Sequence, residues 1–456
     1  MTEPSSGRHA GSPSGHGAGE LSIVIIGGGL AGLTCALDLE RRGHAPTLLE
    51  ASDRFGGRVA TDEVEGFLID RGFQVLLTAY PEAARVLENY AALELGEFYP
   101  GALIRTGGAL RRLADPTKKP FDAVRTIFAP ALPPLDLLRL AALRAKLMGG
   151  SASDAWTAPD RATIDELREA GLSNVAIDRF FRPFFGGVFF DRALETSSRM
   201  FRFTFRMFGE GAAALPARGM RAIPEFLSAQ LRATDLRTRA RVAHIARAHG
   251  PDSMSHPFEI AVEGQGTLRA RAVVVATEGD AAADLLRGLN IGVTNPPVRW
   301  RRTVTLSYAA DRAPVSDPIL VLDGEGAEGS GPVNHLAVPS LVRRSYAPPG
   351  RHLVCANVVG EKHIALSDDQ LDAQVRVQLN AWFGGAASAW KLLRVDRIDR
   401  ALPVQNPGWL EPAQRAVALA PGLFRAGDWL DNASINGAMI SGRRAAEAIA
   451  MSIRRL

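Results

Sequence analysis

The chain has 456 residues, of which 46% are apolar and 22% are charged, and this ordinary globular composition excludes a wholly disordered protein. Two cysteines, Cys35 and Cys355, are too few for a disulfide scaffold. Neither lies at zinc-ligand spacing from another cysteine or a histidine, so no metal site is predicted. The net charge is +4, and the sequence contains no block of five or six like charges. Both observations argue against a nucleic-acid partner.

The N-terminal segment 1–20 is rich in Gly, Ser, Pro and His and lacks the apolar stretch of a secretory signal. We predict that it is a disordered tail. The longest apolar runs, such as 21–26 and 272–276, are far shorter than the ~20 residues of a transmembrane helix. The expected location is therefore the cytoplasm.

Ordered structure is predicted to begin with a βαβ unit. The run LSIVIIG at 21–27 is apolar and β-branched, which is typical of a strand buried on both faces. Apolar residues at helical spacing follow over 28–43, and Gly43 is a helix stop signal. A second strand is predicted at 45–50, ending in a carboxylate.

The turn between the first strand and the helix, GGGLAG at 27–32, matches the pattern G-x-G-x-x-G. Gly27 permits the tight turn, Gly29 lets a pyrophosphate approach the backbone, and Gly32 allows close packing of helix and strand. The pyrophosphate would bind at the helix N-terminus. Glu50 is placed to accept a hydrogen bond from a ribose 2′-OH, which favours FAD or NAD over NADP.

The segment 324–329 also matches G-x-G-x-x-G. It carries two glutamates that would face the phosphates, and a Gly-Pro pair follows where a helix should continue. We interpret it as a mobile turn. A single dinucleotide site is therefore predicted, without a separate NAD(P)H domain.

Two further segments favour FAD over NAD. RFGGR at 54–58 follows the second strand closely, and its arginines can reach a phosphate or the flavin. Far along the chain, 426–428 precedes a predicted helix whose N-terminus can face the flavin, and Asp428 can bind ribityl hydroxyls. The residues predicted to contact the cofactor are Gly27, Gly29, Leu30, Ala31, Gly32, Glu50, Ala51, Arg54, Gly56, Gly57, Arg58, Gly427, Asp428, Ile435 and Asn436.

The remaining elements are predicted from periodicity and from Gly and Pro turns. Helices are predicted over 80–95, 120–150 and 160–185, and the segment 216–231 is predicted to be a loop followed by a helix. Strands are predicted over 240–247, 258–264 and 268–277 and in the segments VTLSYAA, ILVLD, LAVPSLV and LVCANVVG. The segment 423–453 is predicted to form a strand, a loop and a long helix.

Three segments resemble the signatures of the flavin-containing amine oxidase superfamily. They are IVIIGGGLAGLTCALDLERRG…LLEASDRFGGRVAT, PARGMRAIPEFLSAQL and AGDWLDNASINGAMISGRRAAE. The resemblance implies an α/β fold with a discontinuous Rossmann-like FAD-binding domain and a mixed sheet-plus-helix substrate domain. The expected FAD-binding segments are 21–105, 212–285 and 395–456, and the expected substrate segments are 106–211 and 286–394.

The resemblance also implies residue roles. Val242 would lie beside the adenine, and the segment at 70–74 would pass the flavin ring, so Gly72, Phe73 and Gln74 are the expected active-site residues. Trp429 is predicted either to wall the flavin or to pack in the core. Because neither cysteine lies in the closing Gly-Asp motif, where relatives carry a protein link, the FAD is expected to be non-covalent.

Within the superfamily, two amine-oxidase features are missing. The flavin-facing aromatic residue of amine oxidases falls near Ser434, and VTLSYAA has no lysine. The closing motif instead resembles the branch of protoporphyrinogen oxidases and carotenoid and squalene-type desaturases. The phenylalanine-rich region 180–208 suits an apolar tunnel or an ordinary core. His335 is either a polar group near the substrate or, as is commoner, a core histidine.

The expected reaction is hydride abstraction to flavin N5 from a lipophilic, isoprenoid- or carotenoid-like substrate. Three alternatives remain open: a redox-neutral isomerase or dehydroxylase that uses reduced FAD, a flavin amine oxidase, and a non-catalytic FAD-binding protein.

The segment 131–150 raises a separate expectation. Leu135, Leu138, Ala142, Ala145 and Met148 form an apolar helical stripe among basic residues. Such a helix either contacts the inner face of a membrane peripherally or covers the substrate region. No sequence feature specifies an oligomeric state.

Overall fold

A computed structural model describes residues 22–121, 131–289, 291, 297–327 and 329–453. The predicted tail at 1–20 lies outside the described residues. A six-stranded sheet forms the first layer, and five of its strands are parallel. In spatial order its strands are Asp235–Arg237, Thr47–Leu49, Ile23–Ile26, Ala272–Val275, Leu423–Arg425 and the antiparallel edge strand Ala418–Ala420.

The central strand Ile23–Ile26 is buried along its whole length. Ile23 and Ile25 belong to one hydrophobic cluster with the helix Leu30–Glu40, while Val24 and Ile26 belong to another with the strand Phe258–Val262. Alternate side chains therefore fill two cores on opposite faces of the sheet. This explains why the strand is a continuous apolar run, and it confirms the predicted βαβ unit.

The helix Leu30–Glu40 packs closely on the C-terminal helix Ile435–Ile453. Gly442 lies at their contact, where an added Cβ would meet the carbonyl oxygen of Ala31 and would lie 3.0 Å from the nitrogen of Cys35. Only a residue without a side chain lets the two helices approach this closely.

A seven-stranded sheet forms the second layer. Its strands, in spatial order, are Lys391–Pro403, Trp300–Ala310, His352–Val358, Val333–Ala337, Leu320–Asp323, Gly101–Thr106 and Ala109–Ala114. Neighbouring strands are antiparallel except for Leu320–Asp323 and Gly101–Thr106, which run parallel. The edge strand Lys391–Pro403 and the strand Gly101–Thr106 cross the domain boundaries expected at 394/395 and 105/106.

Two predicted strands were wrong in extent. The predicted strand 268–277 is divided in two: Gly266–Ala270 pairs antiparallel with Phe258–Val262, whereas Ala272–Val275 joins the parallel sheet. LAVPSLV does not stay extended, because Pro339 begins the short helix Pro339–Val342. Proline fits the first turn of a helix, where its missing N–H costs no hydrogen bond.

Helices cover the region between the two sheets. The predicted helix over 160–185 is interrupted, and the part of the predicted helix 120–150 at 122–130 lies outside the described residues. The helices of this region are Pro134–Met148, Asp154–Thr157, Thr163–Glu169, Asn174–Ala176, the π-helical turn Ile177–Phe181, Arg182–Phe189 and Ser198–Glu210. Their phenylalanines pack on one another; the ring centroids of Phe185 and Phe201, for example, are 4.9 Å apart.

Smaller elements complete the described chain. The remaining strands are Thr61–Val64, Phe67–Asp70, Leu76–Leu77, Gly96–Glu97, Ala213–Leu215 and Val242–Arg247. The remaining α-helices are Pro81–Val86, Ala222–Gln230, Gly279–Leu286, Glu361–Ile364 and Asp368–Phe383. Short 3₁₀ turns are Glu88–Leu93, Pro251–Ser253, Arg287–Leu289, Arg344–Tyr346, Ala386–Ala389 and Asp428–Leu430.

The packing at Gly442 can be tested by whether an alanine there raises or lowers the stability of the protein. In an exposed helix a glycine-to-alanine change stabilises the folded protein by roughly 1 kcal/mol. At Gly442 the added methyl group instead overpacks the contact with Ala31. We therefore expect Gly442→Ala to destabilise the folded protein by about 1–3 kcal/mol. Thermal unfolding followed by circular dichroism measures the change. Gly288→Ala is the control, because its Cβ would lie 3.9 Å from its nearest neighbour. Equal melting temperatures for the two variants would contradict this account of the helix contact.

Candidate active site

One cavity extends from the glycine turn of the parallel sheet to the phenylalanine-bearing helices. Its volume is about 2090 Å³, roughly twice the ~1,000 Å³ of the largest ordinary ligand pockets. Both layers of the fold contribute to its wall. The cavity is therefore large enough for a dinucleotide together with a second molecule.

The glycine turn forms the inner end of the cavity. Gly27 has a φ of +108°, and a Cβ there would lie 2.7 Å from the carbonyl oxygen of Ala276. A Cβ on Gly32 would collide with the carbonyl oxygen of Gly27. Gly29, in contrast, lines the cavity, and a Cβ on it would meet no atom within 4 Å. A side chain at Gly29 would thus occupy space that the fold leaves for a ligand.

Gly29 also caps the helix Leu30–Glu40, whose first turn carries no acidic side chain and whose N-cap makes no side-chain hydrogen bond. The first N–H groups of a helix have no partner within it, and the helix dipole adds partial positive charge there. Leu30 and Ala31 lie on the cavity wall. The turn therefore fits an anionic diphosphate.

Glu50 follows the strand Thr47–Leu49 and lines the same end of the cavity. Its Oε2 accepts a hydrogen bond of 2.8 Å from the N–H of Gly28, and its Oε1 accepts one of 2.8 Å from the N–H of Ser52. These bonds hold the carboxylate in place. Each oxygen retains a lone pair that can accept from a ribose hydroxyl.

The segment around Gly56 lies against the glycine turn. The N–H of Gly56 donates to the carbonyl of Gly28 at 2.8 Å, and a Cβ on Gly57 would lie 3.4 Å from the Cα of Gly29. Arg58, on the wall, is 2.7 Å from the carboxylate of Asp428 and also donates to the carbonyl of Ala401 at 3.0 Å. The structure thus joins the two predicted cofactor segments across 370 residues of sequence.

Most of the predicted cofactor residues share this wall, while three predicted contacts do not. Those on the wall are Gly27, Gly29, Leu30, Ala31, Glu50, Ala51, Gly56, Gly57, Arg58, Val242, Gly427, Asp428 and Ile435. Gly32 lies behind the wall, as its packing role requires. Arg54 instead donates to Asp62 at 2.7 Å, and the Oδ1 of Asn436 accepts from the buried N–H of Glu82 at 2.9 Å.

Trp429, one of the expected active-site residues, is a further departure. Its side chain turns into the core cluster of Val24 and Ile26, and its indole N–H donates to the carbonyl of Thr277 at 3.3 Å. It is absent from the cavity wall within the described chain. Of the two roles predicted for Trp429, the structure places it in packing rather than beside a flavin.

The other expected active-site residues do lie together on the wall. Gly72 has a φ of +77°. The N–H of Phe73 donates to the hydroxyl of Thr305 at 3.2 Å, and the amide of Gln74 donates to the carbonyl oxygens of Arg58 and Arg71 at 2.9 Å each. These bonds fix the segment between the cofactor end and the rest of the cavity.

The outer part of the cavity is aromatic. Its wall includes side chains from the helices Pro134–Met148, Arg182–Phe189 and Ser198–Glu210. The phenylalanines on the wall are Phe73, Phe98, Phe180, Phe184, Phe185, Phe189, Phe190, Phe205 and Phe208. The phenylalanine-rich region thus supplies both the core that its rings build together and the wall of the cavity. We call this part the aromatic chamber.

Sequence reasoning missed a polar group at the edge of the aromatic chamber. Arg144 is 3.3 Å from the carboxylate of Asp115, and the ammonium of Lys118 donates to the carbonyl of Phe208 at 3.0 Å. Burial lowers the pKa of Lys118. Arg144 is distant in sequence from Asp115 and Lys118, so the available sequence signal was only the basic character of the helix Pro134–Met148.

Neither cysteine lies on the cavity wall. Cys35 is buried in the helix Leu30–Glu40 and Cys355 in the strand His352–Val358. Burial raises the pKa of both thiols, that of Cys355 to about 12. Over the described ranges, no three His, Cys, Asp or Glu side chains are grouped to hold a metal ion. No helix among the described residues is long and apolar enough to cross a membrane.

A dinucleotide cradle joined to an aromatic chamber is the arrangement of a flavin-dependent oxidoreductase. The sequence profile of flavin containing amine oxidoreductases matches residues 30–450, and the chain belongs to that family. FAD is its cofactor, as predicted, and the resemblance recognised in the sequence is confirmed.

Three relatives show the breadth of this family. A probable zeta-carotene desaturase from Synechococcus elongatus is 25% identical over 487 residues, covering 94% of this chain and 98% of that protein. An L-amino-acid oxidase from Bungarus fasciatus is 46% identical, but over only 82 residues, 17% of this chain and 15% of the oxidase. The fold matches a candidate protoporphyrinogen oxidase from Exiguobacterium with a TM-score of 0.72 at 20% identity, covering 95% of this chain and 100% of that one.

The position of Glu50 gives a test of cofactor binding. Glu50→Ala removes the carboxylate on the wall and releases the N–H of Gly28, so we expect FAD affinity to fall by about 1–3 kcal/mol, or roughly 5- to 150-fold. Titration of apoprotein with FAD, followed by flavin fluorescence, measures the dissociation constant. Glu63→Ala, at an exposed position off the wall, is the control. The same affinity in both variants would show that another group holds the ribose.

Proposed function

We propose that this FAD oxidoreductase removes a hydride from a lipophilic, isoprenoid- or carotenoid-like substrate, in a desaturase or oxidase reaction. The supporting observation is that the aromatic chamber and the FAD cradle are parts of one cavity. In this proposal the segments 21–105, 212–285 and 395–456 hold FAD, and the segments 106–211 and 286–394 hold the substrate.

The chemistry of the aromatic chamber supports this class of substrate. Each aromatic side chain presents a large apolar surface with little conformational freedom, so a chamber of phenylalanines gains most from a ligand that is itself apolar. The strand Trp300–Ala310 contributes Thr303 to the wall and contains no lysine. The lysine expected of an amine oxidase is therefore missing from this strand.

The residues near the junction act by binding and orientation. When bound, FAD would supply the redox chemistry as the hydride acceptor. Gly72 adopts the positive φ of +77° that this segment requires. Phe73 presents an apolar face, and the hydrogen bonds of Gln74 hold the segment in position. Arg58 holds Asp428 on the cavity wall, and its carboxylate would accept hydrogen bonds from the ribityl hydroxyls of a bound FAD. The aromatic rings exclude water, which suits a reaction in which the cofactor provides the reactive atom.

The electrons are proposed to pass to oxygen or a quinone. The second glycine-rich segment follows the strand Leu320–Asp323, and the next regular element is the strand Val333–Ala337 rather than a helix. Among the described residues of this turn no helix N-terminus follows, and a helix N-terminus is what a phosphate site of this type uses.

The helix Pro134–Met148 supports peripheral contact with the inner face of a membrane as part of this proposal. Leu135 and Leu138 are 55% and 69% exposed, whereas Leu137 and Leu140 line the cavity. Met148, which the sequence placed on the outer stripe, lines the cavity instead. The outward apolar stripe is therefore shorter than expected. A lipophilic substrate could pass from a membrane at this helix into the aromatic chamber.

The substrate class is tested by anaerobic reduction of the bound flavin. We expect a polyene or triterpene in detergent to bleach the visible absorbance of the oxidised flavin, whereas putrescine and cyclohexylamine leave it unchanged. Stopped-flow absorbance follows the reaction, and photoreduction of the same sample verifies that the flavin is redox-active. Bleaching by the amines but not by the polyene would overturn the proposal in favour of an amine oxidase.

Membrane contact is tested by flotation with anionic vesicles at low salt. We expect the protein to float, and the double variant L135S/L138S to bind at least about tenfold more weakly, because each buried leucine contributes roughly 1.5–3 kcal/mol. Val377→Ser is the control, since Val377 is 72% exposed on the distant helix Asp368–Phe383. Equal flotation of all three proteins, or no flotation of the unmodified chain, would show that the helix only covers the cavity.

A further inference from the structure

Two residues on the wall of the cavity carry a buried polar atom that makes no hydrogen bond within the described part of the chain. They are His335, through Nε2, and Thr204, through its hydroxyl. Their surroundings are the aromatic chamber. A buried polar atom without a partner is destabilising, so its presence in a binding cavity calls for an explanation.

The orientation of His335 follows from a chain of hydrogen bonds. Arg192 donates to the Oδ1 of Asn334 at 2.6 Å, and the Nδ2 of Asn334 donates to the carbonyl of Pro183 at 2.8 Å. These two bonds fix which end of the amide is the donor. The same Nδ2 lies 3.0 Å from the Nδ1 of His335. Nδ1 is therefore an acceptor, and the proton of the neutral imidazole lies on Nε2.

The charge state of His335 agrees with this assignment. Its side chain lies on the strand Val333–Ala337 and is only 3% exposed. Burial, assisted by the positive charge of Arg192, lowers the pKa of His335 to about 3. The imidazole is therefore neutral at physiological pH, and its Nε2–H is a fixed donor rather than a proton shuttle.

Phe73 connects this donor with the junction of the cavity. The Phe73 ring is 5.3 Å from the imidazole ring, and both side chains line the wall. Because Nε2 is itself covered, a ligand atom reaches it only when a neighbouring side chain moves. Phe73 is half-buried and its ring contacts the imidazole, so its movement is one route by which a ligand would reach Nε2.

We propose that the Nε2–H of His335 donates a hydrogen bond to an oxygen atom of the substrate, so that the site prefers an oxygenated isoprenoid to a hydrocarbon of the same skeleton. This inference rests on the proposed function. The hydroxyl of Thr204, which lies on the helix Ser198–Glu210 among aromatic rings, gives a second polar contact. Together the two groups select an apolar molecule that carries oxygen.

The test compares the binding of two probes to the FAD-loaded protein. The probes are geranylgeraniol and the hydrocarbon that lacks its hydroxyl group, and the readout is the dissociation constant from perturbation of the flavin absorbance. The alcohol loses more hydration on binding than the hydrocarbon, so the ratio of their dissociation constants in one protein does not by itself report a hydrogen bond. The diagnostic quantity is how that ratio changes between the unmodified protein and each variant.

His335→Leu removes the donor at similar volume, and we expect it to weaken binding of the alcohol about tenfold more than binding of the hydrocarbon. His335→Gln retains an N–H donor and should recover most of the preference. Thr204→Val, which preserves shape, should reduce the preference by a smaller factor. Thr204→Val also tests the polar selection if His335→Leu fails to fold.

The outcomes separate this inference from the proposed function. Binding of both probes with the same ratio in the unmodified chain, in His335→Leu and in Thr204→Val would overturn the inference and leave the lipophilic-substrate proposal standing. Binding of neither probe to the unmodified, FAD-loaded protein would overturn both. A ratio of dissociation constants that shifts against the alcohol in His335→Leu and returns toward the original value in His335→Gln would support both.

Discussion

Close backbone packing around the helix Leu30–Glu40 is the constraint on which the cofactor end of the structure depends. Gly32 allows the helix to approach the turn at Gly27, and Gly442 allows the C-terminal helix to approach from the other side. The helix is thereby held with its N-terminus open to the cavity. The absence of side chains at these positions, rather than any attractive contact, creates the anion-binding geometry.

The charges around the cavity complement this arrangement. The carboxylate of Asp428 is paired with Arg58 at 2.7 Å, and that of Asp115 with Arg144 at 3.3 Å. Paired carboxylates repel an incoming anion less than free ones do. The helix N-terminus thus keeps its attraction for a diphosphate although acidic residues line the same cavity.

Local patterns predicted the cofactor end well, because its geometry is encoded within about thirty residues. The turn at 27–32 and Glu50 lie where the βαβ pattern requires. Contacts set by distant segments could not be predicted in the same way: Trp429 turns into the core beneath the sheet, and His335 depends on partners that are far away in sequence. The helix Asp368–Phe383 was missed although its capping box is visible in the sequence.

The burial of both thiols has a consequence for the durability of the protein. When oxygen is the electron acceptor, a flavin oxidase produces hydrogen peroxide inside its own cavity. Peroxide attacks thiolates, but Cys35 and Cys355 are buried with raised pKa values and lie off the cavity wall. In that case both cysteines of the chain would be poor targets for the peroxide, because each is held as a buried thiol.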